Sequence, residues 1–379
     1  MKLKLNYLLV LSPITLILYY LHAVSDITLF ILSAISIIPI AGLLGEATEA
    51  IAEKMGEGIG GLLNATFGNA AELIIAIIAL KNGYHEIVKA SITGSIIGNI
   101  LLVMGLSFLL GGIKYPIQKF NKIAVRSQTL MLTVASFSLI LPAAFHSLVP
   151  QEAWVVEKKL SLIIASILFL TYILGLIFSL KTHKHLFSGE ETSWDIPADT
   201  QKEITETTEN NLEKISDTAE QHNGHWSIKK SVAILIISTI FIALISEILV
   251  HSVHNAASSL GMSELFVGII IVAIVGNAAE HSTAITVALK NRMDLSISIG
   301  IGSSIQIALF VAPTLLFLSY VIGPQPLDLV FTSSEVLAVS LSVFIVSQVA
   351  DDGKSNWIEG IQLLAMYAIL ATIFFFLPG

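Results

Sequence analysis

Apolar runs of about twenty residues, long enough to cross a bilayer as helices, recur eleven times along the chain. They lie at about 5–23, 26–50, 62–80, 87–111, 123–144, 159–181, 228–254, 262–290, 295–321, 330–349 and 357–377. Polar residues gather between them, and the longest polar stretch, 182–227, follows the sixth run. The pattern predicts an all-α polytopic membrane protein of about 11 transmembrane helices. Lys2 and Lys4 precede the first run as they would in a signal peptide, but no clean small-x-small cleavage site follows. A retained N-terminal helix is therefore expected within residues 1–25.

Against this apolar background one polar pattern is duplicated. Gly-Asn-Ala-Ala-Glu stands at 68–72 and again at 276–280, each time inside a membrane-length run, with similar tails Ala79-Leu80-Lys81-Asn82 and Ala288-Leu289-Lys290-Asn291. A carboxylate near the bilayer centre costs about 2.5 to 3.5 kcal/mol, so a repeated one asks for a compensating cation. After the first helix the remaining ten divide into five and five, 26–181 and 228–379, with the 182–227 linker between them. Each set carries the pentapeptide in its second helix. An odd number of helices per repeat makes the two copies run in opposite directions, which predicts an inverted repeat with its site at the midplane.

Charge gives the orientation, because cytoplasmic loops retain Lys and Arg. With the N-terminus inside, sixteen of the twenty basic residues are cytoplasmic, and only Lys81, Lys89, Lys158 and Lys159 fall outside. The C-terminus then lies outside. Composition agrees with the membrane reading: 54% of the 379 residues are hydrophobic and 13% charged, and the mean hydropathy is +0.82. The net charge of -8 carries little information about partners, since ten of the 28 acids fall between Glu190 and Glu220. Nucleic-acid binding has no support. The absence of cysteine removes disulfides, thiolate metal sites and cysteine nucleophiles together.

On continuous helices Ala65, Asn69, Glu72 and Ala76 would share one face, as would Ala273, Asn277, Glu280 and Ala284. Small residues above and below let such helices approach closely. Two carboxylates and two amide oxygens then meet, a set that suits a hard divalent cation taking about six to eight oxygens. The following helix of each repeat offers Ser95 and, in the second copy, Ser303 and Gln306; Gly98 and Asn99 do not align cleanly with Gln306. With neither thiols nor a central His pair, calcium fits better than zinc or copper, with manganese as a minor substrate. No cofactor is expected.

Plainer readings stand beside these. Buried Asn and Ser often only join helices, and a lone Glu can be a protonated structural donor, although the duplication argues against both. His281 points off the carboxylate face, toward a hydrogen-bonded structural role or proton handling. His251 and His254 sit near an outer helix end, where an interfacial role outweighs a metal site. Gly60, Gly61, Gly98 and Gly302 are expected to permit tight packing, and Pro39 and Pro313 to kink their helices. Glu49 and Glu247 fall on the first helices of the two repeats and face opposite sides, as cation-attracting vestibules would; an exposed helix-end Glu can also be inert.

The stretch Gly61-Leu62-Leu63-Asn64-Ala65-Thr66-Phe67-Gly68-Asn69-Ala70-Ala71-Glu72, with Gly276-Asn277-Ala278-Ala279-Glu280-His281 and Gly302-Ser303-Ser304-Ile305-Gln306, resembles the signature of calcium/proton exchangers in the calcium/cation antiporter superfamily. The resemblance runs from about residue 26 onward. It implies an eleven-helix fold, motif glutamates Glu72 and Glu280 that bind calcium or protons in turn, gating by the first helices of the repeats, and an acidic stretch between the halves. Ile204, Leu212 and Ile215 would let that stretch form a short amphipathic helix, with disorder as the alternative.

The expected activity is calcium/proton antiport by alternating access, with export across the cell (plasma) membrane. The partners are calcium, protons and the bilayer, with a homo-oligomer left open. The chain is not read as an enzyme, since it has no His-Glu-x-x-His pattern or paired-Asp motif. A cation channel would not need the inverted repeat. Sodium/calcium exchange is the nearest rival, and the Asn within each motif argues against it.

Overall fold

The computed structural model describes residues 7–55, 57–148, 154–183 and 226–377. The acidic stretch Glu190–Glu220, with Ile204, Leu212 and Ile215, lies outside the described residues. A 3-10 turn, Tyr7–Val10, leads into α1 (Leu11–Tyr20). The first repeat follows as α2 (Asp26–Met55), α3 (Glu57–Phe67), α4 (Ala70–Lys81), α5 (His85–Lys114), α6 (Lys122–Leu148) and α7 (Trp154–Ile177). The second comprises α8 (Ile228–Ser259), α9 (Glu264–Gly276), α10 (Ala278–Ala288), α11 (Met293–Ser319), α12 (Ser333–Val349) and α13 (Trp357–Phe376). Helices fill every expected stretch, and the protein is all-α and polytopic. Among the described residues seven helices are long and apolar enough to cross a membrane alone, or eight if the bent pair α9–α10 counts as one span. The expected eleven is reached only by adding the shorter helices Tyr7–Tyr20 and Ser333–Val349 and the broken pair α3–α4.

The motif helices are not continuous, which corrects the expectation of one face running through each pentapeptide. Gly68 and Asn69 interrupt α3 and α4, and α9 meets α10 at Asn277 with a bend of 61°. Gly and Asn are weak helix formers. Neither Asn caps the helix it precedes, because both side chains bond residues of the other repeat instead. Packing is reciprocal: α2 lies along α8, α4 packs on α8, and α10 packs on α2.

Glycines set the closest approaches, and of the expected ones Gly60 is among them. A Cβ added at Gly94 of α5 would overlap the Ile269 carbonyl of α9, and one at Gly268 would lie 2.6 Å from Ala90 Cβ. Gly60 is similarly close to Ala52. Gly98 and Gly302, expected in tight packing, have nothing within 4 Å of a would-be Cβ. Gly98 opens a π-helical stretch, Gly98–Val103, and a second π stretch occupies Ile307–Val311; the extra residue per turn rotates their surroundings. Pro313 stands two residues after the latter, where its missing N–H disturbs the ladder. The helix runs unbroken through Pro39.

Two loops meet in a two-stranded antiparallel ribbon, β1 (Gln118–Lys119) with β2 (Lys354–Ser355). Beside it, Lys114 donates to the Leu289 carbonyl at 2.8 Å and Gln118 to Asn291 Oδ1 at 3.1 Å. These contacts place the 115–121, 289–292 and 350–356 connections on one face, as the alternating helix directions require. At the opposite end Asn255 donates to Asp26 at 2.6 Å.

Candidate functional site

Each motif glutamate sits in the first turn of the helix after its break, where the N-terminal dipole favours a negative charge. Glu72 opens α4 and Glu280 opens α10. The breaks face each other. A Cβ on Gly276 would lie 2.9 Å from Glu72 Cγ, and one on Gly68 would lie 3.5 Å from Glu280 Oε1 and 3.6 Å from Gln306 Oε1. The glycine of each motif thus makes room for the glutamate of the other. Two ionised carboxylates facing across the breaks would repel each other. Ala76, Ala273 and Ala284 are buried around them.

Two hydrogen-bonded sets flank the pair. In one, Asn69 Nδ2 donates to Gln306 Oε1, and Ser303 Oγ lies 2.9 Å from Asn69 Oδ1 and within hydrogen-bond reach of Glu280 Oε2. In the other, His281 Nε2 donates to Asn99 Oδ1 at 3.1 Å, Asn99 Nδ2 to Asn277 Oδ1 at 3.3 Å, and Asn277 Nδ2 to Ser95 Oγ at 2.9 Å. Asn69, Glu72, Ser95, Asn277, Glu280, Ser303 and Gln306 therefore all belong to this buried layer. Asn99 joins it although the sequence left its register open: it stands four residues after Ser95, as Gln306 stands three after Ser303, and both spacings share a helix face. Gly98 occupies the position that Gln306 fills in the other copy. His281 turns away from the carboxylates into the second set.

Glu72 is 4% exposed, and its Oε1 finds no hydrogen-bond partner although buried. A buried carboxylate oxygen without a donor is costly, and a cation would satisfy it. Glu280 is partly exposed. Among the described residues no group of three or more His, Asp or Glu gathers as a metal cluster; the layer holds two carboxylates and neutral side-chain oxygens. That chemistry fits a hard cation.

The vestibule candidates Glu49 on α2 and Glu247 on α8 are exposed and outside the layer. His254 contacts Glu264 at the surface, and His251 lies 6.3 Å from the Tyr19 ring. One charged cluster escaped the sequence reading. Lys89 of α5, 7% exposed, donates to the Val330 carbonyl at 2.9 Å and pairs with Glu86 at 2.9 Å and Asp328 at 3.6 Å. Thr93 donates to buried Glu335 at 3.1 Å. The signal was a lone Lys and a lone Glu inside apolar runs.

Fold and site together define a helical membrane protein built around a cluster of side-chain oxygens from both repeats. The profile of the family described as "Sodium/calcium exchanger protein" matches residues 25–181 and 230–376. The chain is 44% identical over 371 residues to the "Ca(2+)/H(+) antiporter" of Synechocystis sp., covering 98% of this chain and 96% of that one. It is 41% identical over 366 residues to the "Ca(2+)/H(+) antiporter ChaA" of Bacillus subtilis, covering 96% of each. The solved structure of native YfkE matches with a TM-score of 0.80 at 38% identity over 100% of both chains. The chain belongs to the sodium/calcium exchanger protein family, within its calcium/proton antiporter branch.

Proposed function

We propose that the chain exchanges calcium for protons across its membrane by alternating access, with Glu72 and Glu280 binding either a calcium ion or protons. The observation that carries this is the reciprocal placement of the two motifs, which sets two carboxylates from opposite repeats together and leaves one buried oxygen of Glu72 without a donor. Asn69, Asn277, Ser95, Ser303 and Gln306 supply neutral oxygens, directly or through water. Calcium between the carboxylates requires both to be ionised, and protonation neutralises the charge that holds it, so the two occupants exclude each other. A proton gradient then drives calcium the other way, with α2 and α8, the tightly paired first helices, as the gates. The names of the full-length relatives support this reading, as does the donor chemistry.

The excess of basic residues supports a cytoplasmic ribbon face, and with it export as the direction. The test is calcium flux in proteoliposomes under an imposed pH gradient, with and without sodium, at clamped voltage. Proton-driven flux indifferent to sodium is expected. Flux that follows sodium alone and ignores pH would establish sodium/calcium exchange instead.

A further inference from the structure

The two motif helices continue away from the carboxylates toward opposite faces, and they do so with different chemistry. In α10 the positions at i, i+3 and i+6 are Glu280, Thr283 and Thr286; in α4 they are Glu72, Ile75 and Ile78. Each step rises about 4.5 Å. Thr283 is exposed and Thr286 partly so, whereas Ile75 and Ile78 are 2% and 8% exposed. Ala284 and Ala288 bury the other side of α10, so Glu280 stands at the border between the packed face and an open threonine stair.

The hydroxyls are also preset. Thr283 Oγ1 donates to the Ala279 carbonyl at 3.0 Å, and Thr286 Oγ1 to the Ser282 carbonyl at 2.7 Å. With the proton committed to the helix, each oxygen is left as an acceptor, the polarity that a cation or the hydrogens of its hydration water require. The isoleucine stair offers no such oxygen, and its side chains are already packed.

We propose that Thr283 and Thr286 form an approach subsite that takes hydrated calcium from the face carrying the 289–292 turn and exchanges its first waters before Glu280 binds it. The Ile75–Ile78 side has no capture subsite and serves as the exit. This rests on the calcium/proton reading above and adds to it a side-specific step. A valine in place of threonine keeps the volume and removes the oxygen, and at an exposed position it leaves the fold intact.

The experiment uses the full chain in vesicles. Because the sequence lacks cysteine, Lys290→Cys in the exposed turn, blocked by an impermeant thiol reagent, reports which face points outward. Initial calcium flux is measured against calcium concentration from each face. The Thr283→Val/Thr286→Val variant is expected to lose about three- to tenfold in apparent affinity at the 289–292 face, the worth of one or two polar contacts. The opposite face should stay within about twofold on the same scale, and Thr283→Ser/Thr286→Ser should restore the wild-type value. Unchanged affinity at the 289–292 face, or an equal loss at both faces, overturns the subsite. Wild-type vesicles whose calcium flux ignores the pH gradient overturn the underlying exchange reading instead.

Discussion

The two halves of the carboxylate layer come from near-identical pentapeptides yet stand in different surroundings. Glu280 is partly exposed and held by Ser303, which also reaches Asn69. Glu72 is buried, with an oxygen left over, while the polar residues nearest its own repeat, Ser95 and Asn99, are engaged by Asn277 and His281. Duplication thus preserves the donors and their direction but not their access. In this conformation one half is accessible and the other is sealed, the arrangement that the proposed alternating access requires of any single state.

The largest effect should come from the charges. Glu72→Gln or Glu280→Gln is expected to reduce calcium/proton exchange at least about 100-fold, because a neutral amide neither releases a proton nor balances calcium charge. Flux above a tenth of wild type in either variant would break the equivalence of the two carboxylates. Next come two glycines at equivalent positions. Gly94→Ala forces a Cβ into the Ile269 carbonyl, whereas Gly302→Ala meets nothing within 4 Å. The first should cost about 3 kcal/mol or more through overpacking, and the second should be neutral in thermal unfolding; equal melting temperatures would deny the asymmetry.

Acidity should act on both halves together. Since protons occupy the oxygens that calcium needs, apparent calcium affinity falls as pH falls, by up to about tenfold per pH unit for each proton displaced. Equilibrium calcium binding that does not change with pH would separate the proton and calcium sites. The smallest effect belongs to the amides: Asn69→Ala and Asn277→Ala should each weaken apparent calcium affinity about five- to tenfold with turnover retained. If neither moves the affinity in flux titrations, both leave the site.

The repeat, its inversion and the residues that meet in the polar layer were legible because identical letters recur at a fixed place in each set of five apolar runs, and length alone marks most spans. The helix breaks were less legible. An isolated helix would run through Ala-Ala-Glu, and only partners more than 180 residues away, Ser95 for Asn277 and Ser303 for Asn69, draw the asparagines out of it. Asn99 was hidden by the π stretch, which shifts its register relative to Gln306. The Lys89–Asp328 pair and the Thr93–Glu335 bond span about 240 residues, and no local periodicity encodes them.

The ribbon of Gln118–Lys119 with Lys354–Ser355 binds the repeats backbone to backbone at one edge, reinforced by Phe120 N–H donating to the Gly353 carbonyl at 3.0 Å. Gly353 takes a positive φ of 75° there, so the turn is shaped for that clasp and tolerates few other residues. The clasp ties the α5–α6 and α12–α13 connections to each other, so these two loops should travel as one while the gate helices α2 and α8 move. Slow amide exchange at 118–120 and 353–355 throughout turnover is the signature such a stitch should leave.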